Sequence, residues 1–201
     1  MFLASYNIQI IDRHILLVLW KTMVLPILDY CSQLWNPHLK GEISILEEIQ
    51  KSFTRKIAGI NANYWERLVL LKLYSLQRRR ERYIMIYVWK ILEGLVPNMA
   101  SPITTTNSPR HGRMCNVNVR RKHSRIATLI NSSLSVHGCR LFNSLPKDIS
   151  NVNINFLKNK LDQFLSSIPD EPQTIGYTLS RRANTNSILD MLSLRVAPAP
   201  R

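Results

Sequence analysis

Four arginines, Arg78, Arg79, Arg80 and Arg82, crowd the first turns of a predicted helix. Cations there oppose the helix dipole at about 0.3 to 1 kcal/mol each, so something anionic should offset them. The guanidinium fork matches phosphate oxygens, which makes phosphate contact the functional reading. The competing reading is a solvated face partly neutralised by Glu81. A second basic group, Arg110, Arg113, Arg120, Arg121, Lys122 and Arg125, lies in a stretch from Gly94 to Lys147 that contains no Asp or Glu. Such a segment suits a sugar-phosphate backbone held without reading sequence, and the scarcity of aromatics there gives no sign of base stacking. A merely soluble basic surface is the alternative.

Other chemistry finds less support. His111, Cys115, His123, His137 and Cys139 are soft ligands in one region, but their spacing matches no zinc knuckle or finger. No metal and no other cofactor is expected. The chain offers no Gly-x-Ser-x-Gly elbow, no Walker glycine loop and no cysteine in a nucleophile context. Two-metal phosphoryl transfer needs clustered carboxylates, and Asp12, Asp29, Asp148, Asp162, Asp170 and Asp190 are scattered. Asp29 alone sits in a strongly apolar context, where a buried hydrogen bond or cap is a better account than catalysis. Catalytic residues are therefore not expected.

The composition agrees with a polyanionic partner. Lys and Arg number 27 against 13 Asp and Glu, a formal charge of +14 and an isoelectric point near 10.2. The hydrophobic fraction of 45% is enough to bury a core. Three cysteines, Cys31, Cys115 and Cys139, do not make a disulfide framework and fit a reducing, intracellular compartment, the nucleus included. The apolar run from Ile15 to Trp20 is broken by Lys21 well short of a membrane span, and the second basic group is not laid out on an amphipathic helix, so no membrane partner is expected.

Helices must position these residues. From Ile11 to Met23 the chain is apolar nearly all round, which predicts a buried helix with a kinked continuation at Pro26. Between Glu42 and Ile57 a stripe of Leu46, Ile49, Phe53 and Ile57 predicts a helix stopped by Gly59, with Lys51, Arg55 and Lys56 late in it, where cations favour the dipole. Trp65 to Leu73 reads as a short helix. Ser75 then caps a longer one that carries Ile84, Tyr87, Val88, Ile91, Leu92 and Leu95 and ends between Gly94 and Pro97. Asn98 to Pro109, without periodicity, reads as a linker. MCNVNVRR is a candidate strand with RIATLI as its partner, a helix remaining open for either. Ser135 to Leu145, and Phe156 to Ile168 with Phe156, Leu157, Leu161, Phe164, Leu165 and Ile168 inward, read as helices; the tail from Asp170 is expected to be poorly ordered.

Taken in order, several segments resemble the region after the polymerase palm in reverse transcriptases of jockey-like non-LTR retrotransposons. MVLPILDYCSQLWNPHLKGEISILEEIQKSFTRKIAGI is similar to that family's thumb segment, with its Pro-Ile-Leu-acidic-Tyr-Cys run, Trp-Asn-Pro and a helix bearing Leu-Glu-x-x-Gln. LVLLKLYSLQRRRERYIMIYVWKIL resembles the Ser-Leu-x-x-Arg-Arg helix, with Trp89 before Lys90 where Tyr is usual. GCRLFNSLPKDI has Phe142 in place of the usual Trp, and NFLKNKLDQFL resembles the closing helix. The resemblance covers roughly residues 10 to 168. It implies a mainly α fold: a thumb-like helical region over 1–97, a linker over 98–116, a small helical region over 117–168, with room for a short β-hairpin, and a tail over 169–201. It further implies that the aromatic-Ala-Asp-Asp palm hairpin lies upstream, that the missing palm is the natural packing partner, and that thumb helices left without it expose apolar surface. In the parent enzyme the thumb would track an RNA-DNA template-primer. Lys51, Arg55, Lys56, Arg78, Arg79, Arg80, Arg82, Arg120, Arg121, Lys122 and Arg125 are the candidate contacts to an RNA or DNA backbone, and an inert remnant is the alternative.

Overall fold

A computed structural model describes residues 13–58, 62–98, 102–108, 112–117, 125–172 and 186–196. The fold is mainly α with one two-stranded antiparallel hairpin. The helices are α1 (Arg13–Leu19), α2 (Leu25–Asp29), α3 (Ser32–Trp35), α4 (Lys40–Ala58), α5 (Tyr64–Leu71) and α6 (Leu76–Leu92). Strands β1 (Thr105–Ser108) and β2 (Gly112–Cys115) follow, then α7 (Arg125–Ser132), α8 (Cys139–Asn143), α9 (Lys147–Ser150), α10 (Ile154–Ser166) and α11 (Ile188–Val196).

Between α1 and α2 the chain passes through a π-helical turn, Trp20–Val24, closed by the Leu25 N–H on the Trp20 carbonyl. Pro26 supplies a reason. It has no N–H to give and its ring crowds the carbonyl four residues back, so the preceding turn widens. Widening brings Trp20 and Leu25, five apart, to one face, and both are buried. Trp20 stacks on Phe53 of α4 with ring centroids 4.1 Å apart. The opposite face is not buried. Ile15, Val18, Leu19, Met23, Ile27, Tyr30 and Leu34 form an exposed ridge at three-to-four spacing, with Ile27, Tyr30 and Leu34 each about three-quarters exposed. The expected fully buried helix is thus buried on one side only.

The inward face of α4 is also different from the predicted stripe. Leu46, Phe53 and Ile57 do face the core, but Ile49 is exposed and Glu47, Gln50 and Thr54 are buried. These polar groups reach across helices, although Glu47 Oε2 and Gln50 Oε1 find no partner among the described residues. Tyr64 donates to Glu47 Oε1, which also accepts from the Leu76 N–H at 3.1 Å. Gln50 Nε2 donates to the Tyr74 carbonyl at 2.9 Å and to the Tyr64 hydroxyl at 3.1 Å. Arg67 reaches Thr54 Oγ1 and the Ala62 carbonyl. Helix α5 starts on a reciprocal cap: Asn63 Oδ1 accepts from the Glu66 N–H, and Glu66 Oε2 from the Asn63 N–H.

Helix α6 serves two cores. Its first residue, Leu76, packs with Trp20, Leu25, Ile57, Tyr64, Leu68, Leu71 and Leu73. Ile84, Met85, Val88, Trp89 and Ile91 enter a larger core with Cys115, Leu141, Phe142, Leu157, Leu161, Leu165 and Ile188. Ser75 caps α6 as predicted, its hydroxyl accepting from the Arg78 N–H. Gly138 lets α8 approach this helix, since a Cβ there would lie 2.9 Å from Val88 Cγ2.

The C-terminal half departs from the sequence reading in four places. The hairpin pairs β2 with β1, Thr105 opposite Cys115, so the predicted linker over 98–116 contains both strands; RIATLI takes the helical alternative, in α7. Ile103 and Cys115 are core residues, which makes this segment part of the packed body. In α10, Leu157, Leu161 and Leu165 face inward four apart, whereas Phe156 points to solvent. Residues 186–196 of the tail are ordered. Ser187 Oγ and the Ile188 N–H donate to the buried carboxylate of Glu81, and Ile188 and Met191 enter the core. The sequence reading missed this because Glu81 offers no local signal of a partner 107 residues away.

Candidate nucleic-acid interface

The arginines of α6 have partners already, and they are the protein's own. Arg78 is wholly buried; its Nη1 donates to the Leu165 and Ile168 carbonyls, its Nη2 to the Pro169 carbonyl at 2.8 Å, and its Nε lies 3.6 Å from Asp170. Arg79 Nη2 donates to Asp29 Oδ2 at 2.5 Å. Arg80 is buried with its Nε on Asn36 Oδ1, and burial holds its ionisation below the usual arginine range. Arg82 donates to both oxygens of Asp162, at 2.5 and 2.8 Å, and that hydrogen bonding raises its pKa.

This corrects the phosphate-contact reading of the cluster. Three of the arginines are held by carboxylates and the fourth by an amide, and Arg78 and Arg80 expose no surface to an external polyanion. Neither sequence reading, phosphate contact or solvated face, describes them. They are clips: Asp29 and Asn36 come from the chain before α4, the arginines from α6, and Asp162 from α10. Asp29 thereby serves the buried hydrogen-bonding role predicted for it.

The acidic partners matter for the surface. Arg67, Arg78, Arg79, Arg80 and Arg82 on one side, and Asp29, Glu47, Glu81, Asp162 and Asp170 on the other, are formally balanced. The whole +14 excess therefore lies outside this network. Burial raises the pKa of both Glu47 and Glu81, although each accepts hydrogen bonds that oppose the rise.

The remaining candidates are unevenly placed. Lys51 is half-buried, 3.5 Å from Glu48 and over the Tyr64 ring, so part of its charge is used locally. Arg55 and Lys56 are exposed in the last turn of α4 and make no ion pair among the described residues. Arg120, Arg121 and Lys122 lie outside the described residues, as do Arg110, His111 and His123; Arg125 opens α7. Arg113 is committed to Glu93 and the Leu92 carbonyl.

No protein-family model, no curated protein and no solved structure matches this chain. Among the described residues no set of three or more His, Cys, Asp and Glu is placed to hold a metal ion, and no helix is long and apolar enough to cross a membrane. An open cleft of about 1230 Å³ lies between α5 and the end of α10. Its cations, Lys21, Lys72, Arg79 and Arg82, are matched by Glu66, Asp162, Asp170 and Glu171, which makes it a poor receptor for a polyanion. The site residues of α6 could have been reassigned from sequence by one signal only: scattered aspartates in apolar contexts need partners, and buried arginines are the usual ones.

Proposed function

We propose that the chain is a non-catalytic helical module that corresponds to the thumb and post-thumb region of a jockey-like non-LTR reverse transcriptase and holds a nucleic-acid backbone without reading its sequence. The thumb-like motifs motivate the family, and one observation supports retained binding. With the internal charges balanced, the formal +14 excess stands outside that network, and Arg55 and Lys56 are exposed at the end of α4. A backbone contact of this kind works through counterion release, so affinity should fall steeply with salt. An RNA-DNA hybrid is the probe suited to the parent enzyme's template-primer, in an intracellular compartment.

Fluorescence anisotropy with a labelled hybrid at two salt concentrations tests this. We expect salt-dependent binding, and for Arg55→Glu with Lys56→Glu a weaker complex whose salt slope falls by about one for each phosphate-bound cation removed. Absence of binding, or binding that ignores salt, would sink the proposal. A second reading is favoured by the inward arginines and the exposed apolar ridge: an inert remnant whose helices only pack, the ridge having faced the palm. Under it, charge reversal at Arg55 and Lys56 leaves affinity unchanged, and primer extension yields no product under either reading.

A further inference from the structure

Two thiols that the sequence separates by 24 residues meet in the larger core. Cys139 opens α8 and Asn143 lies one turn later, on the same helical face. The Asn143 carboxamide clamps the backbone of Cys115: its Oδ1 accepts from the Cys115 N–H at 2.7 Å and its Nδ2 donates to the Cys115 carbonyl at 2.9 Å. This pair of hydrogen bonds seats the end of β2 over the first turn of α8. The two thiols adjoin where β2 packs on α8, both are buried, and both are free.

We propose that Cys115 and Cys139 form a redox pair, oxidised by small-molecule disulfides to an intramolecular cystine that staples the hairpin to the helical core. No third metal-ligating side chain joins the two among the described residues, which turns the pair toward sulfur-sulfur chemistry. Cys31 lies between α2 and α3, outside this core, and is not needed. The first sulfur to react is that of Cys139, whose thiolate the neighbouring Cys115 thiol favours, and a hairpin of two four-residue strands is a marginal element that opens locally to admit the disulfide.

The Cys139 thiolate attacks one sulfur of the disulfide RSSR, forming a mixed disulfide and releasing RS⁻. Cys115, once its proton has passed to a released RS⁻, then attacks Cys139 Sγ, forming the protein S–S bond and expelling the second RS⁻. Two thiol protons end on the released thiolates, the protein loses two electrons and the oxidant gains them. Contact with the Cys115 thiol holds the Cys139 pKa below that of an ordinary thiol, while the same contact and burial push Cys115 up. The resulting ring, residues 115–139, encloses the basic positions Arg120, Arg121, Lys122 and Arg125.

Incubating the folded full-length chain with oxidised glutathione, quenching with acid and counting thiols in denaturant tests the pair. We expect the count to fall from three to one, dithiothreitol to restore three, and peptide mapping to join the Cys115 and Cys139 peptides with the loss of two hydrogens. In Cys31→Ser the count should fall from two to none with the same linkage, and the Cys115 amide should exchange hydrogen more slowly once oxidised. The proposal is overturned if Cys115 and Cys139 stay as thiols, if they carry only glutathione adducts, or if the linkage appears only after denaturant is added.

Discussion

Around Trp20, the helices before α6 bury a small core under an exposed apolar ridge, and their second buried layer is polar, built on Glu47, Gln50 and Thr54. Around Leu141 and Leu161, the elements after the start of α6 close an apolar core whose aliphatic side chains are almost fully covered. Exposed large apolar groups are concentrated in the first region: Ile15, Met23, Ile27, Leu34, Ile45 and Val69 against few such as Ile126 and Phe156 in the second. The difference teaches that hydrophobic content and hydrophobic burial are separate quantities. A helix apolar on every side needs two partners, and the first region provides one.

The largest effect expected from breaking this arrangement is at the joint. Arg78→Ala removes the donor shared by three carbonyls and the cation beside Asp170, which keeps only its hydrogen bonds from Ser75 and Asn186, and should cost about 3 to 5 kcal/mol, read as a lower chemical-denaturation midpoint. Because Arg78 ties α6 to the end of α10, both regions should lose protection from hydrogen exchange together. Next, Leu161→Ala in the second region should cost about 2 to 5 kcal/mol, whereas Ile27→Ser on the ridge should stay within about 0.5 kcal/mol while reducing aggregation measured by light scattering. Equal destabilisation by the two would remove the distinction between the regions.

A smaller effect is expected at the cap of α5, where Asn63→Ala should cost about 1 kcal/mol, read from the same denaturation midpoint. The smallest tests pH. Burial raises the Glu81 carboxyl above its ordinary 4.5, so folding favours its protonated form. That contribution is full below the unfolded value and is lost as pH rises through the folded one. Glu81→Gln should therefore flatten the fall in thermal midpoint on going from pH 4.5 toward neutrality, and an unchanged slope would assign the pH dependence elsewhere.

Much of the helical layout was legible because it rests on local signals. Ser75 before a periodic run, the stripe of Leu157, Leu161 and Leu165, and the basic end of α4 are each read within one or two turns. What stayed hidden depends on distant partners. Arg78 and Arg82 look like surface cations until residues 162–170 return to them, and Thr105–Ser108 has no period of its own until it pairs with Gly112–Cys115. The candidate interface suffered most, since a run of arginines has the same appearance whether its anion is a phosphate or an aspartate. The ridge was half legible: all-round apolarity was visible, but not which side would lack a cover.

The dual membership of α6 also bears on how the chain is made. Its carboxylate Glu81 waits for Ser187 and Ile188, the latter 107 residues later. At 5–20 residues per second, a ribosome needs roughly 5 to 20 s to supply them. For most of that interval the nascent helix carries Arg78, Glu81 and Arg82 without their partners beside an already apolar N-terminal segment, which is when a holding chaperone would have the most surface to grip.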